Sequence, residues 1–403
     1  MTAVVIVGGG PTGLTAAAAL APSTEVIVLE RESATGGIPR HSDHTGYGLR
    51  DLHRVLTGPA YARRLSELAR TAGADLRTNS MATGWAPDGR LEVTSPQGRY
   101  TLPAKAILLS TGARERPRAA RLVPGDRGAG VYTTGALQNL VHLQHRSPGT
   151  RAVVIGAELV SWSAALTLRE AGCQVISLVT EHERPESYAA FNLAGRAALR
   201  IPVATRTRVI SIIGRPRVTG VEVEDRDGLR RIIECDTVVF TGDWIPDNEL
   251  ARSAGLDLDP STRGPLVDTA DQTSRAGVFA AGNLVHPVVT ADFAALAGRR
   301  AARQVTHWLD GERSDVATVN LIAQAPFRWV TPGRWAPGTS DRRLVLWTDR
   351  WVPVPQVRAW QGDREIGRIR TPWPAAPGRA FQLPGSLLRQ AVSDAGPITI
   401  GLG

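Results

Sequence analysis

Val4-Val5-Ile6-Val7-Gly8-Gly9-Gly10-Pro11-Thr12-Gly13 runs an apolar stretch straight into a glycine-rich turn. An Ala-rich segment follows, then a second apolar run, Val26-Ile27-Val28-Leu29, closed by Glu30. Strand, turn, helix, strand and acid in this order are what a dinucleotide site requires. Gly8 makes the tight turn, Gly10 lets the backbone approach a pyrophosphate, and Gly13 lets helix and strand pack closely; Pro11 and Thr12 then begin a helix whose free N–H groups face the phosphates. Glu30 stands where a carboxylate hydrogen-bonds ribose hydroxyls.

A second copy is altered. Ala152-Val153-Val154-Ile155 leads into Gly156-Ala157-Glu158-Leu159-Val160-Ser161, with a carboxylate in place of the second glycine and a serine in place of the third. Glu158 would set its charge beside the phosphates of NAD(P), and Ser161 would crowd the helix–strand contact. Glu181, His182 and Arg184 fall where ribose or 2′-phosphate recognition would occur. Three readings stay open: a fold kept for its shape, a site remodelled for another adenine nucleotide, or NAD(P)H in a shifted pose.

The 403 residues are 42% hydrophobic, enough for two or three cores, and the strand–helix alternation predicts an α/β fold. The net charge of +9 rests almost wholly on arginine, since Lys105 is the sole lysine. No basic run interleaves with aromatics, which argues against nucleic-acid binding. A first strand beginning near residue 3 and the lack of an apolar run of spanning length lead us to expect a cytoplasmic protein with no membrane span. Cys173 and Cys235 form no C-x-x-C pair and read as buried small hydrophobes, and two cysteines exclude a four-cysteine zinc or iron–sulfur site; no metal site is expected.

The expected architecture is two Rossmann-like three-layer domains plus a small β-rich domain. Residues 1–125 and 265–312 are expected to form a discontinuous dinucleotide-binding domain around the intact turn, residues 126–264 an inserted NAD(P)-like domain, and residues 313–403 a Trp-rich C-terminal domain. Pro117, Pro124-Gly125 and Gly264-Pro265 mark the crossings. Trp329, Trp335, Trp347, Trp351, Trp360 and Trp373 either fill the core of that last domain or dock a partner protein.

Two further stretches bear on which dinucleotide is bound, and their resemblance implies FAD. Ala106-Ile107-Leu108-Leu109-Ser110-Thr111-Gly112-Ala113 resembles the "ATG" strand, and Gly277-Val278-Phe279-Ala280-Ala281-Gly282-Asn283 the "GVFAAGD" strand, of two-dinucleotide-domain flavoproteins, the kin of glutathione and thioredoxin reductases. The resemblance implies FAD contacts at Glu30, Arg31, Gly37, Ile38, Arg40, Ala82, Thr111, Gly112, Gly282, Asn283, Thr290 and Ala291. Asn283 replaces the usual aspartate. The helix opening at Thr290-Ala291 would aim its positive end at the flavin, favouring the reduced form.

Gly36-Gly37-Ile38-Pro39-Arg40-His41-Ser42-Asp43-His44 and Val131-Tyr132-Thr133-Thr134-Gly135-Ala136-Leu137-Gln138 are similar to the FAD α subunits of opine oxidase, L-proline and hydroxyproline dehydrogenases, hydrogen cyanide synthase and sarcosine oxidase. That likeness implies an electron-transferring chain working with a small amine, a substrate-oxidising FAD or FMN subunit, and an iron–sulfur subunit. Ser42 stands where many relatives carry cysteine, and the Trp-rich domain replaces their cysteine-rich tail. His41, His44 and His286 are the candidates for proton transfer, each with a structural reading beside it: loop shape for the first two, flavin backing for the third.

Overall fold

The computed structural model describes residues 3–312, 316–339 and 341–403; the expected domain start at residue 313 lies outside them. Contacts sort the chain into two compact units: Met1–Arg40 with Gly46–Ala113 and Pro246–Gly403, and His41–Thr45 with Arg114–Ile245.

In the first unit, β1 (Val4–Val7) and β2 (Val26–Leu29) are buried along their whole length, as β-branched runs between covered faces must be. Between them α1 (Pro11–Leu20) starts on proline, which has no N–H to leave unpaired, and its alanines let nearly every face be buried. The helix α2 (Gly58–Thr71) is amphipathic, burying Tyr61, Ala62, Leu65 and Ala69, and leads to β3 (Asp75–Arg77). An antiparallel meander, β4 (Met81–Trp85), β5 (Leu91–Ser95) and β6 (Gly98–Leu102), precedes β7 (Ala106–Leu109).

The second unit repeats the plan. Its parallel sheet has the order β8 (Val131–Thr133), β15 (Thr237–Phe240), β9 (Arg151–Ile155), β10 (Gln174–Val179), β11 (Val203–Ala204). Helices α3 (Thr134–Gln138), α4 (Leu159–Glu170) and α5 (Ala189–Leu199) accompany it, with an antiparallel meander of β12 (Arg208–Ile213), β13 (Gly220–Glu224) and β14 (Arg230–Glu234).

The chain then completes the first sheet with β16 (Val278–Ala280), giving the parallel order β16-β7-β1-β2-β3, and lays α6 (Ala291–Leu309) on α1. The changeovers fall earlier than the Pro and Gly punctuation. Residues 114–125 stay with the second unit, where Gly125 bridges Ile212. Residues 246–264 join the first, where Leu250 and Leu256 share a core with Val5 and Leu29.

Beyond α6 the chain is β-rich. A five-stranded sheet (334–335, 319–323, 398–402, 356–361, 364–370) and a three-stranded one (327–331, 343–348, 381–384) enclose a core around Trp335, Leu344, Leu346, Ile398 and Ile400. The tryptophans differ in burial. Trp335 and Trp329 are buried, and Trp329 stacks on Trp347 with centroids 6.1 Å apart, whereas Trp373 is 53% exposed.

Candidate functional site

The first glycine turn is built by close approach. Gly8 lies at φ +106 with its Cβ direction blocked 2.5 Å away by the Ser110 carbonyl, and a Cβ on Gly13 would stand 2.0 Å from the Gly8 carbonyl oxygen. Gly10 is different: a Cβ there meets nothing closer than the Gly37 Cα at 3.9 Å, so its outer face is open to a ligand. The helix α1 has no side-chain cap and no acid in its first turn, so no side chain competes with an anion for its N-terminus. Glu30 is buried and accepts from the Gly9 N–H and the Glu32 N–H at 2.9 Å each, which fixes both oxygens while leaving further lone pairs for ribose hydroxyls. Burial pushes its carboxyl above the ordinary value, opposed by those two N–H groups. Donors, open glycine and fixed carboxylate together fit the phosphates and ribose of FAD.

The two distant motifs converge on the same turn. The Thr12 hydroxyl donates to the Ala294 carbonyl of α6 at 3.0 Å, and a Cβ on Gly282 would lie 2.2 Å from that hydroxyl oxygen. Gly112, at φ +79, faces open space. Asn283 pairs with the Val289 backbone in both directions, donating at 3.1 Å and accepting at 3.0 Å, so the amide closes its own loop where aspartate could only accept. Ala291 opens α6 and offers its carbonyl to the Tyr61 hydroxyl at 3.4 Å. Thr290 is the N-cap residue, but its side chain does not cap; its hydroxyl meets Asp292, whose buried carboxylate also holds Arg50 at 2.9 Å. Asp292 thus sets a carboxylate, paired with Arg50, in the first turn of the helix expected to face the flavin.

Arg40 spends its guanidinium on the Ala34 carbonyl at 2.8 Å and on Glu32 at 3.5 Å. Gly37 abuts Gly10, Ile38 is half exposed on a short 3-10 turn, and Ala82 lies in β4 opposite Val93. Arg31 pairs with Asp247 at 3.4 Å. Asp247 itself escaped the sequence reading. Its carbonyl accepts from the Thr111 hydroxyl at 2.7 Å and its N–H donates to the Gly112 carbonyl, and the turn-forming Pro246-Asp247-Asn248 is the signal that could have found it.

The histidines separate. His286 is buried beside Asp271 and Arg300, and burial followed by the Arg300 charge drives its pKa down to about 4, so the ring is neutral. His41 and His44 belong to the second unit, where His44 Nε2 meets the Ser163 hydroxyl at 2.7 Å and Gln138 donates to Ser163 and Ser42 at 2.8 and 3.2 Å. With His44 Nδ1 at 2.9 Å from the Thr45 carbonyl, both ring nitrogens have partners within the second unit.

The second turn is closed from within. Glu158 is the N-cap of α4, and its Oε2 accepts from the hydroxyls of Ser161 and Thr241 at 2.8 Å each while the Glu158 N–H donates to Ser161 at 3.0 Å. Its Oε1 packs on Gly242, and Gly156 leaves no room for a Cβ, which would stand 2.0 Å from the Thr241 hydroxyl. The carboxylate therefore occupies the helix end where a pyrophosphate would lie. Ser161 does not crowd the helix–strand contact as expected; fully buried, it ties α4 to the end of β15 through Thr241 at 2.7 Å.

Glu181 is exposed and takes no part in that cluster. Glu186 does instead. It is buried, accepts from the Thr180 hydroxyl at 2.9 Å, and burial with the Glu158 charge pushes its carboxyl up to about 8. Glu115 caps the Gly135 N–H at 2.9 Å, and burial lifts it to about 7. Arg121 donates to the Thr241 and Gly242 carbonyls at 2.8 Å, bracing the same loop. Sequence spacing gave no sign of these three, because they come from outside the glycine motif. Both cysteines are buried, with thiols pushed up to about 12 and about 11 by desolvation, so neither is a thiolate.

A family model described as pyridine nucleotide-disulphide oxidoreductase matches residues 2–306. The chain belongs to that family. It is an oxidoreductase of the FAD-dependent kind, and the C-terminal β-rich region lies outside the matched residues. An opine oxidase subunit of Rhizobium meliloti is 27% identical over 74% of this chain and 61% of its own length. The ferredoxin--NAD(+) reductase subunit of the benzene 1,2-dioxygenase system of Pseudomonas putida is 28% identical over 70% of this chain and 66% of its own length. Among solved structures, thioredoxin reductase of T. acidophilum shares the fold with a TM-score of 0.64 at 24% identity, covering 77% of this chain and 99% of that one. The chain thus spans about three-fifths of the opine oxidase relative. Among the described residues no helix is long and apolar enough to cross a membrane, and no cluster of His, Cys, Asp and Glu could hold a metal ion.

Proposed function

We propose that this chain is the FAD-bearing, electron-transferring α subunit of a multi-subunit dehydrogenase acting on an amine or amino acid of the opine, proline, hydroxyproline or sarcosine kind. The observation that carries the reading is the closure of the second turn by Glu158, Ser161 and Thr241. In a flavoprotein of this family a plugged nicotinamide turn removes the usual electron donor, and two buried cysteines without a C-x-x-C pair remove the usual dithiol exit. Electrons must then both arrive and leave through partners, which we take to be a flavin-containing, substrate-oxidising subunit together with an iron–sulfur subunit. The likeness to a protein named as a subunit of opine oxidase supports this.

Bound FAD would supply the two-electron redox centre. The chain's own part is positional. The α1 N-terminus and Gly10 hold the pyrophosphate, Glu30 takes the ribose, Thr111-Gly112 and Gly282-Asn283 frame the remainder, and Arg50–Asp292 sets the charge at the start of α6.

The test is anaerobic mixing of the FAD-loaded chain with NADH and with NADPH, beside affinity isolation from the producing organism. Neither nucleotide should bleach the flavin band, and a flavin-containing partner should co-purify in stoichiometric amount. Rapid bleaching by either nucleotide would instead support a self-sufficient NAD(P)H-dependent flavin oxidoreductase, the kind of activity named for the dioxygenase-system relative. A preparation that takes up no FAD would mark a non-catalytic scaffold.

A further inference from the structure

The C-terminal β-rich region reaches into the rest of the first unit with one buried side chain. Arg342, only 7% exposed, donates through Nη2 to Asp271 Oδ1 at 2.7 Å. Asp271 is 1% exposed and is held from the other side by Arg300 of α6, Nε to Oδ2 at 2.9 Å and Nη2 to Oδ1 at 3.1 Å. One buried carboxylate shared by two guanidiniums has both oxygens engaged in charge-assisted bonds and a fixed orientation.

Asp271 passes that orientation on by two routes. Its carbonyl accepts from the Ala280 N–H at 3.0 Å, which fixes the end of β16 and hence Gly282, whose missing Cβ lets it abut the Thr12 hydroxyl. Its carboxylate fixes Arg300, two residues beyond Gly298, where α6 lies so close on α1 that a Cβ would stand 2.0 Å from the Thr12 carbonyl. Both routes end at Thr12, in the first turn of α1. Close-packed backbone transmits a small shift instead of absorbing it.

We propose that Arg342 is a positioning residue of the FAD site, acting through Asp271 and Arg300 on Thr12 and Gly282, so that the C-terminal region is part of the cofactor-holding structure. The inference rests on the first turn being the FAD site. A fastening of the two parts of the unit also exists at a more exposed place, where Arg334 pairs with Asp257 at 2.5 Å.

The experiment compares Arg342→Met, Arg342→Lys and Arg334→Met in the full chain, by FAD titration of the apoprotein, visible circular dichroism of the bound flavin, and melting of the apo form. Arg342→Met should weaken FAD binding about tenfold and change the flavin dichroism, with Arg342→Lys recovering part of the affinity, because the charge persists without the planar fork. Arg334→Met should lower apo melting at most and leave FAD affinity and dichroism unchanged. An Arg342→Met chain that melts lower yet binds FAD with wild-type affinity and dichroism would overturn the proposal. If Arg342→Met yields no folded chain, Arg342→Lys decides: altered dichroism and weaker binding support it, unchanged values overturn it. A wild-type chain that binds no FAD would instead sink the site reading itself, and the first titration shows which has failed.

Discussion

Opening the plugged turn should give this chain a nicotinamide site. In the wild type the Glu158 carboxylate lies at the N-terminus of α4, fixed by the Ser161 and Thr241 hydroxyls. A phosphate placed on that helix end would stand about 4 Å from it, a repulsion of about 4 kcal/mol at an effective dielectric constant near 20, or roughly a thousandfold in Kd. Glu158→Gly with Ser161→Gly removes the charge and restores the small residues that close approach needs, at the expense of about 1–2 kcal/mol of stability for the lost cap. The assay is calorimetric titration of both proteins with NADH, followed by anaerobic mixing of the FAD-loaded forms. The double variant should bind NADH with sub-millimolar Kd while the wild type shows no saturation. Micromolar NADH binding by the wild type, or equal affinities in the two proteins, would refute the plug.

Gly13→Ala should give a colourless protein, since its Cβ would lie 2.0 Å from the Gly8 carbonyl oxygen and must push α1 off the turn; a full flavin spectrum after purification counts against the placement of the site. Glu186 supplies a pH test. Its carboxyl is raised to about 8 in the fold, above the ordinary 4.5, so the folded state holds the proton more tightly than the unfolded chain. The sign follows: its contribution is fully present below about pH 4.5 and is lost as pH rises through 8. Glu186→Gln should therefore flatten the fall in melting temperature between pH 5 and 8.5, by the equivalent of a few kcal/mol at most. Parallel wild-type and variant curves would remove Glu186 from that balance.

Much of the fold is written locally. Val4–Val7 before Gly8 and Ala152–Ile155 before Gly156 are short β-branched runs ended by glycine, and both became buried parallel strands because nothing in them can face water. The first-turn roles were readable for the same reason: a glycine fingerprint encodes backbone geometry, and backbone geometry is local. Contact between distant segments was not legible. Asp247 reaches Thr111 across the whole second unit of sequence, and Glu186, Glu115 and Arg121 meet Glu158 only in the folded chain. Arg40, expected to contact flavin or its phosphates, also holds the Ala34 carbonyl and Glu32, a pairing its sequence position did not announce.

A dinucleotide-binding unit could be read from residues 4–30 alone, because strand, glycine turn, helix and acid are short-range demands, and the resemblance of two distant strands to those of flavoproteins made the expected dinucleotide FAD. The sequence also exposed the oddity of Glu158 and Ser161. What that oddity does depends on packing. A carboxylate next to a helix start is merely unfavourable to phosphate until Thr241, just past the end of β15 and 83 residues along the chain, helps turn it into a fixed internal cap. The same holds for the C-terminal region, whose Arg342 is one arginine among many until folding buries it on Asp271. Charge far from water must find a partner, and which partner it finds is a property of the packed chain.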